Sequence, residues 1–271
     1  MDDLKVTLLQ SDLFWEDIDR NLELFTRKMA SIKESSDLIV LPEMFNTGFT
    51  MNAKILAEQM GGKTMSWMQQ QSREKKCVLT GSLILEERGN YYNRLLWIRP
   101  DGTYEIYDKR HLFRMAEEDT YFTPGNKRII IELKGWKICP LICYDLRFPV
   151  WSRNRFRDQE SVSHTCKAEY DVLLYTANWP ERRNYAWKSL LPARAIENQA
   201  YVLGLNRIGN DGNNIPYSGD SVVLNFKGET VSTIKTNEEA IETVSLNYQD
   251  LEEFRKIFPV GLDTDAFTIN Y

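Results

Sequence analysis

The sequence predicts an α/β fold with mixed sheets, and three observations carry that prediction. Short apolar runs alternate with amphipathic segments through the first and middle parts of the chain, the order that builds α/β layers. One of these runs, 37–41 (DLIVL), is apolar after an opening aspartate, the pattern of a strand buried on both faces, and 171–177 (DVLLYTA) is another largely apolar strand. Toward the C-terminus, strand-like runs follow one another with only turns between them, so antiparallel neighbours join the sheet. Helices must then cover the exposed faces.

Residues 4–10 (LKVTLLQ) read as the first strand. Residues 15–33 read as a helix, with Ile18, Leu22, Phe25, Met29 and Ile32 at three- and four-residue steps. After the strand at 37–41, helical character returns at 64–76. Residues 77–85 (CVLTGSLIL) and 91–99 (YYNRLLWIR) are strands, and the turn PDGT at 100–103 leads into another at 104–107. Residues 109–127 form a loop of a length that usually carries function. Strands at 128–133 and 136–143 flank a Lys-Gly turn. A polar stretch, 153–170, reads as a solvated helix end with a surface loop. The strand at 171–177 is followed by a helix at 184–199, with Trp187, Leu190, Leu191, Ala195 and Ile196 on one side, and by a strand at 201–206. GNDGNN at 209–214 is a turn. Residues 221–226, 230–235 and 240–246 are expected as a β-meander, with NFKG at 225–228 as a hairpin turn. A last helix spans 248–257, and 258–271 has no period.

Composition narrows the function. The chain has 271 residues, 42% hydrophobic and 27% charged, with no repeat or linker-like shift, so 1–271 is expected as one domain. A net charge of −5 argues against a broad phosphate-binding surface, so neither nucleic acid nor an anionic membrane is an expected partner. The N-terminal MDDLKVTLLQSDLFW opens on acids rather than a basic signal region, and no apolar run approaches membrane-spanning length; a cytoplasmic protein is expected. Four scattered cysteines without a C-x-x-C pair do not make a disulfide scaffold, and two histidines leave little material for a metal site. No metal and no cofactor is expected. G-x-G-x-x-G and P-loop motifs are absent, which sets aside a nucleotide binder.

Three ionisable residues stand at or just past strand ends, where ligands of α/β sheets gather: Glu43 after DLIVLP, Lys109 after YEIYD, and Cys143 after KICPLI. Each alone reads as a cap, a solvated charge or a small core residue. Together they describe acyl-transfer chemistry. A thiol with a pKa of about 8.5 needs a base, and a buried carboxylate can serve. The oxyanion needs positive charge and oriented N–H donors, which Lys109 and the backbone amide of Tyr144 can supply. Pro42 stiffens the approach to Glu43.

VLPEMF around Glu43, YDKRHLF around Lys109 and ICYDLRFP around Cys143, in that order and spacing, resemble the three signatures of the nitrilase, or carbon–nitrogen hydrolase, superfamily. YTANWP at 175–180 and ARAIENQAYV at 193–202 extend the resemblance to the ω-amidase branch. The resemblance implies an αββα sandwich, a Glu-Lys-Cys site, and a second glutamate between the lysine and the cysteine that orients the lysine or the substrate. Glu117 and Glu118 are the candidates, and counting back from Pro124-Gly125 favours Glu118. The implied reaction is hydrolysis of the terminal amide of 2-oxoglutaramate or 2-oxosuccinamate. An N-carbamoyl amino acid or aliphatic amidase, a nitrilase, or a non-catalytic protein of the same fold are the alternatives.

A substrate carboxylate calls for an arginine fork, and Arg147 lies nearest the nucleophile in sequence, although it could instead pair with Asp145 or with a structural glutamate. Phe45, Phe113, Tyr121 and Trp179 are expected as an apolar wall. The segment RDQESVSHTCKAE departs from the family pattern as an insertion, and its His164 and Cys166 are read as non-catalytic. The resemblance also implies a homodimer built through helices next to the nucleophile turn, and the unperiodic 258–271 tail is expected against the partner.

Overall fold

The apolar runs resolve into two sheets, stacked face to face, with helices on their outer sides. The structure is a computed structural model that describes residues 1–158 and 166–269. In chain order the elements are β1 (Leu4–Gln10), α1 (Ile18–Ala30), β2 (Leu38–Val40), α2 (Ala53–Leu56), β3 (Glu58–Gln59), α3 (Lys63–Lys75), β4 (Val78–Glu87), β5 (Asn90–Ile98) and β6 (Tyr104–Asp108). There follow α4 (Glu118–Tyr121), β7 (Ile131–Leu133), β8 (Trp136–Ile142), α5 (Pro149–Ser152), β9 (Phe156–Asp158), β10 (Cys166–Ala168) and β11 (Val172–Ala177). The chain continues through α6 (Asn184–Asn198), β12 (Tyr201–Asn206), β13 (Ile208–Asn210), β14 (Pro216–Ser218), β15 (Val222–Leu224), β16 (Ala240–Leu246) and α7 (Tyr248–Ile257).

The first sheet runs β16-β1-β2-β4-β5-β6, with β3 beside β4, and the second runs β15-β12-β11-β8-β7. Alternation along each strand sorts side chains between two apolar layers. Leu4, Val6 and Leu8 of β1 join Val40, Trp97 and Tyr107 against Leu174, Leu203 and Leu205 of the second sheet. The opposite face of the first sheet turns Leu9, Ile39 and Leu79 onto Leu22, Phe25 and Met29 of α1 and Met65 and Met68 of α3. Asp17 caps α1 by accepting from the amide of Arg20 at 3.0 Å. On the far side, Trp187 and Leu191 of α6 press onto Gly204 of β12, where a Cβ would lie 2.6 Å from Leu191. The result is an α/β sandwich of αββα order.

Strand direction decides where function can sit. β2 runs parallel to β4, and β5 and β6 each reverse, so β2 and β6 point the same way. β8, β11 and β12 are parallel in the second sheet. Glu43, Lys109 and Cys143 therefore leave carboxyl ends of β2, β6 and β8.

The structure differs from the sequence reading in five places. Residues 230–235 form no strand. Thr230 makes one bridge to Leu224, and beyond it side chains replace the ladder: Val223 donates to Ser232 Oγ at 2.9 Å, and Thr233 donates to the Glu242 carboxylate. Residues 240–246 do form a strand, but it leaves the expected meander and pairs with β1 in the other sheet. The 209–214 turn is the tip of a small hairpin, β13–β14. The polar stretch at 153–170 contains the β9–β10 hairpin; His164 and the side chain of Cys166 lie outside the described residues. The tail from Phe258 folds back on its own chain: Gln199 Nε2 donates to Phe258 O at 2.8 Å, and Ile269 packs on the core.

Candidate active site

Glu43 follows Pro42 past the end of β2 and is fully buried. Met44, directly after it, has φ +42°, a left-handed conformation that costs a β-carbon residue energy and is held here by a bond from its amide to Ser82 Oγ at 2.9 Å. The turn aims the carboxylate inward. Its Oε1 accepts from Lys109 Nζ and from Asn93 Nδ2, both at 2.8 Å, and its Oε2 accepts from the amide of Asn178 at 2.7 Å.

Lys109 leaves β6 and is also buried. Its amide donates to Asn93 O, and its carbonyl accepts from Gly125, so the backbone is fixed on both sides. Besides Glu43, its ammonium contacts both carboxylate oxygens of Glu118 at 2.9 Å and lies 5.0 Å from the ring centre of Phe49. The expected long loop is ordered into a 3-10 turn, Arg114–Ala116, and the short helix α4. Glu117 takes φ +58° between them and stays exposed, which swings Glu118 into the interior. Of the two candidates, Glu118 is therefore the one beside Lys109. It also accepts from the Phe113 amide at 2.5 Å and from Asn93 Nδ2 at 3.3 Å.

Charge and burial work against each other in this cluster. Burial alone pulls the Lys109 ammonium down, but the carboxylates of Glu118 and Glu43 win and hold it above its ordinary value. Burial pushes Glu118 up against the pull of Lys109, and the like charge of Glu43 adds to the push.

Cys143 opens a 3-10 turn, Cys143–Arg147, directly after β8. It has φ +42°, another non-glycine residue in the left-handed region. Asp145 holds this turn from beneath. Its Oδ2 accepts from the Tyr107 hydroxyl at 2.7 Å and the Ile142 amide at 3.1 Å, and its Oδ1 accepts from the His111 amide at 3.0 Å. The Cys143 sulfur lies 3.9 Å from Asn178 O. Burial first, then the Glu43 carboxylate, push the thiol well above its usual range, while Lys109 pulls the other way. The resting group is a protonated thiol within the electrostatic reach of both Glu43 and Lys109. The amide of Tyr144 stands in the first turn, where N–H groups lack acceptors within the helix.

Cys143, Lys109 and Tyr144 line one cavity of about 520 Å³. Phe113, Arg147 and Trp179 line it as well. Phe45 and Tyr121 do not. Phe45 is buried edge-on against Phe25 and beside Trp67, filling the layer under α1 and α3, and Tyr121 is solvent-exposed on α4. Arg147 has no ion pair among the described residues, with Asp145 engaged elsewhere, and its guanidinium lies 5.0 Å from the Trp179 ring centre.

Sequence reasoning missed Asn93 and Asn178, which bind Glu43 from two sides. A signal for Asn93 was present, since a lone amide in the buried middle of a strand demands partners. Among the described residues, no group of three or more His, Cys, Asp or Glu side chains is placed to hold a metal ion.

Fold and cavity together define the class: an αββα sandwich with a buried thiol and a Glu-Lys-Glu cluster where strands of both sheets end. The chain belongs to the carbon–nitrogen hydrolase family, whose model matches residues 5–256. It is 44% identical over 271 residues to the omega-amidase YafV of Escherichia coli K12, covering 99% of this chain and 100% of that protein. It is 31% identical over 258 residues to the 2-oxoglutaramate amidase of Bacillus subtilis 168, covering 94% and 95%. Among solved structures, XC1258 of Xanthomonas campestris, a CN-hydrolase superfamily protein with an arsenic adduct in its active site, superposes over all of both chains with a TM-score of 0.94 at 41% identity.

Proposed function

We propose that this protein is an ω-amidase that hydrolyses the terminal amide of a small 2-oxo acid, such as 2-oxoglutaramate or 2-oxosuccinamate, through a thioester on Cys143. The observation that carries the reading is a cavity lined both by Cys143, on a left-handed turn, and by Lys109, whose ammonium is held by Glu43 and Glu118. The names and identities of the full-length relatives support the substrate class.

Glu43 takes the thiol proton as sulfur adds to the amide carbon. Burial and the Glu43 carboxylate push the thiol pKa up, which favours transfer during attack over a preformed thiolate. The developing oxyanion is met by the Tyr144 N–H and by the charge of the Lys109 ammonium, which at rest makes one contact to Glu43 and two to Glu118. Glu118 and Asn93 keep Lys109 and Glu43 in register. The C–N bond then breaks, and Glu43 returns its proton to the departing ammonia. Water, deprotonated by Glu43, attacks the thioester, releasing the acid and restoring the thiol. Arg147 binds the substrate carboxylate, and Phe113 and Trp179 form the apolar walls.

The same reading takes 1–271 as one hydrolase domain acting in the cytoplasm as a homodimer, with the tail against the partner. Exposed Ile257, Phe258 and Leu262, and Tyr185 and Ile196 on α6, support a further contact surface there.

Ammonia release from 2-oxoglutaramate, compared with glutamine and succinamate, tests the substrate. The 2-oxo acid amide should be cleaved fastest, and Cys143→Ala and Glu43→Gln should each abolish turnover. Faster cleavage of glutamine would overturn the assignment.

A further inference from the structure

One wall of the cavity carries more cationic capacity than the proposed chemistry uses. Arg183 ends the 3-10 turn Glu181–Arg183 that leads into α6, and it lines the cavity together with Arg147 and Arg182. Its backbone is pinned: the amide donates to Pro180 O at 2.9 Å, and the carbonyl accepts from Trp179 Nε1 at 2.9 Å. The side chain is placed by a ring. The guanidinium carbon lies 5.1 Å from the ring centre of Phe113, as that of Arg147 lies 5.0 Å from Trp179. Two planar forks are thus set against two aromatic walls.

Neither fork has a carboxylate partner among the described residues. The hydrogen-bond contact of the Arg183 side chain is with the sulfur of Met115, a weak acceptor. Its Nη1 is buried without any acceptor. A buried cationic N–H left unpaired is costly, and structures rarely retain one without a use. Burial first, then the like charges of Arg182 and Arg147, pull the guanidinium below its ordinary pKa. An anion in the cavity would relieve the repulsion between the two guanidinium groups.

We propose that Arg183 is a specificity-determining residue that, with Arg147, grips the carboxylate of the substrate. This rests on the amidase reading in placing the amide end at Cys143. A carboxylate offers about four acceptor sites on two oxygens, enough for two guanidinium forks. The sequence gives Arg183 no distinction from its neighbour Arg182; burial of Nη1 and the Phe113 contact separate them.

The test is equilibrium binding of 2-oxoglutaramate by calorimetry to the Cys143→Ala protein, alone and with Arg183→Gln or Arg183→Lys added. Arg183→Gln should weaken binding about 10- to 100-fold, as loss of charge-assisted hydrogen bonds does, and Arg183→Lys should recover only part of it. Pentanamide, which has no carboxylate, should bind all three proteins alike. Equal 2-oxoglutaramate affinity with and without Arg183→Gln would overturn the proposal, as would equal loss of pentanamide binding. Failure of the wild-type enzyme to release ammonia from a 2-oxoglutaramate that still binds through Arg183 would sink the amidase reading alone.

Discussion

Replacing Glu118 with glutamine isolates what its charge does, because the side chain keeps its shape. Each Glu118 oxygen faces two donors: Oε1 accepts from Lys109 and Asn93, and Oε2 accepts from Lys109 and the Phe113 amide. Whichever way the new amide is turned, its NH2 confronts two N–H groups, one of them on the Lys109 ammonium. Two charge-assisted bonds at about 1.5–3 kcal/mol each are lost or inverted, and one oxygen still accepts, so the net cost is about 3–4 kcal/mol. That cost falls on the position of Lys109, which is needed most as the oxyanion forms. At 1.36 kcal/mol per decade, kcat should fall by about 10²- to 10³-fold, with KM within about threefold. Glu118→Asp, which keeps the charge but shortens the reach, should lie between the two. Steady-state ammonia release, with thermal unfolding to check the fold, reads the result. A Glu118→Gln protein with kcat within about threefold of wild type and an unchanged Tm would show that this carboxylate does not position the lysine.

Other consequences follow from the same geometry. Arg147→Lys keeps the charge but loses the fork, and should raise KM for 2-oxoglutaramate about tenfold while sparing pentanamide; equal effects on both would remove Arg147 from carboxylate binding. Gly125→Ala places a Cβ 2.2 Å from Asp108 O, beside the backbone that seats Lys109, and should lower stability by about 2–4 kcal/mol and reduce kcat; a wild-type denaturation midpoint would contradict the packing. Cys139, buried in β8, has its thiol pushed by burial from 9.0 up to about 12. The folded chain therefore holds a proton that the unfolded chain releases between those values, so its contribution is intact below pH 9 and is lost as pH rises toward 12. Urea midpoints between pH 8 and 11 should show a slope that Cys139→Ala reduces by up to about 1.4 kcal/mol per pH unit; identical slopes would refute the assignment.

The sequence exposed the parts of the site that stand at strand ends. Glu43, Lys109 and Cys143 each follow an apolar run, and strand direction alone brings such ends to one edge. Residues that act from inside elements were harder to read. Asn93 sits mid-strand, and its role depends on Glu43 and Glu118, 50 and 25 positions away. Phe45 and Tyr121 carry the chemistry of a cavity wall, but packing sent one to the core and the other to solvent. Strand 240–246 was legible as a strand, whereas its partner was not. Register with β1 spans 236 residues between Thr7 and Thr243, and no local pattern encodes a pairing that distant. At 230–235, side chains of Ser232 and Glu242 took the place of ladder partners, which strand propensity does not anticipate.

The central claim is that Cys143 forms an acyl bond to the substrate. Acid-quenching the wild-type enzyme during turnover of 2-oxoglutaramate and analysing its peptides by mass spectrometry tests this directly. The peptide carrying Cys143 should gain the mass of the substrate less ammonia, and the gain should be absent from Glu43→Gln. Undiminished turnover by Cys143→Ala, or an adduct confined to another cysteine, would contradict the account.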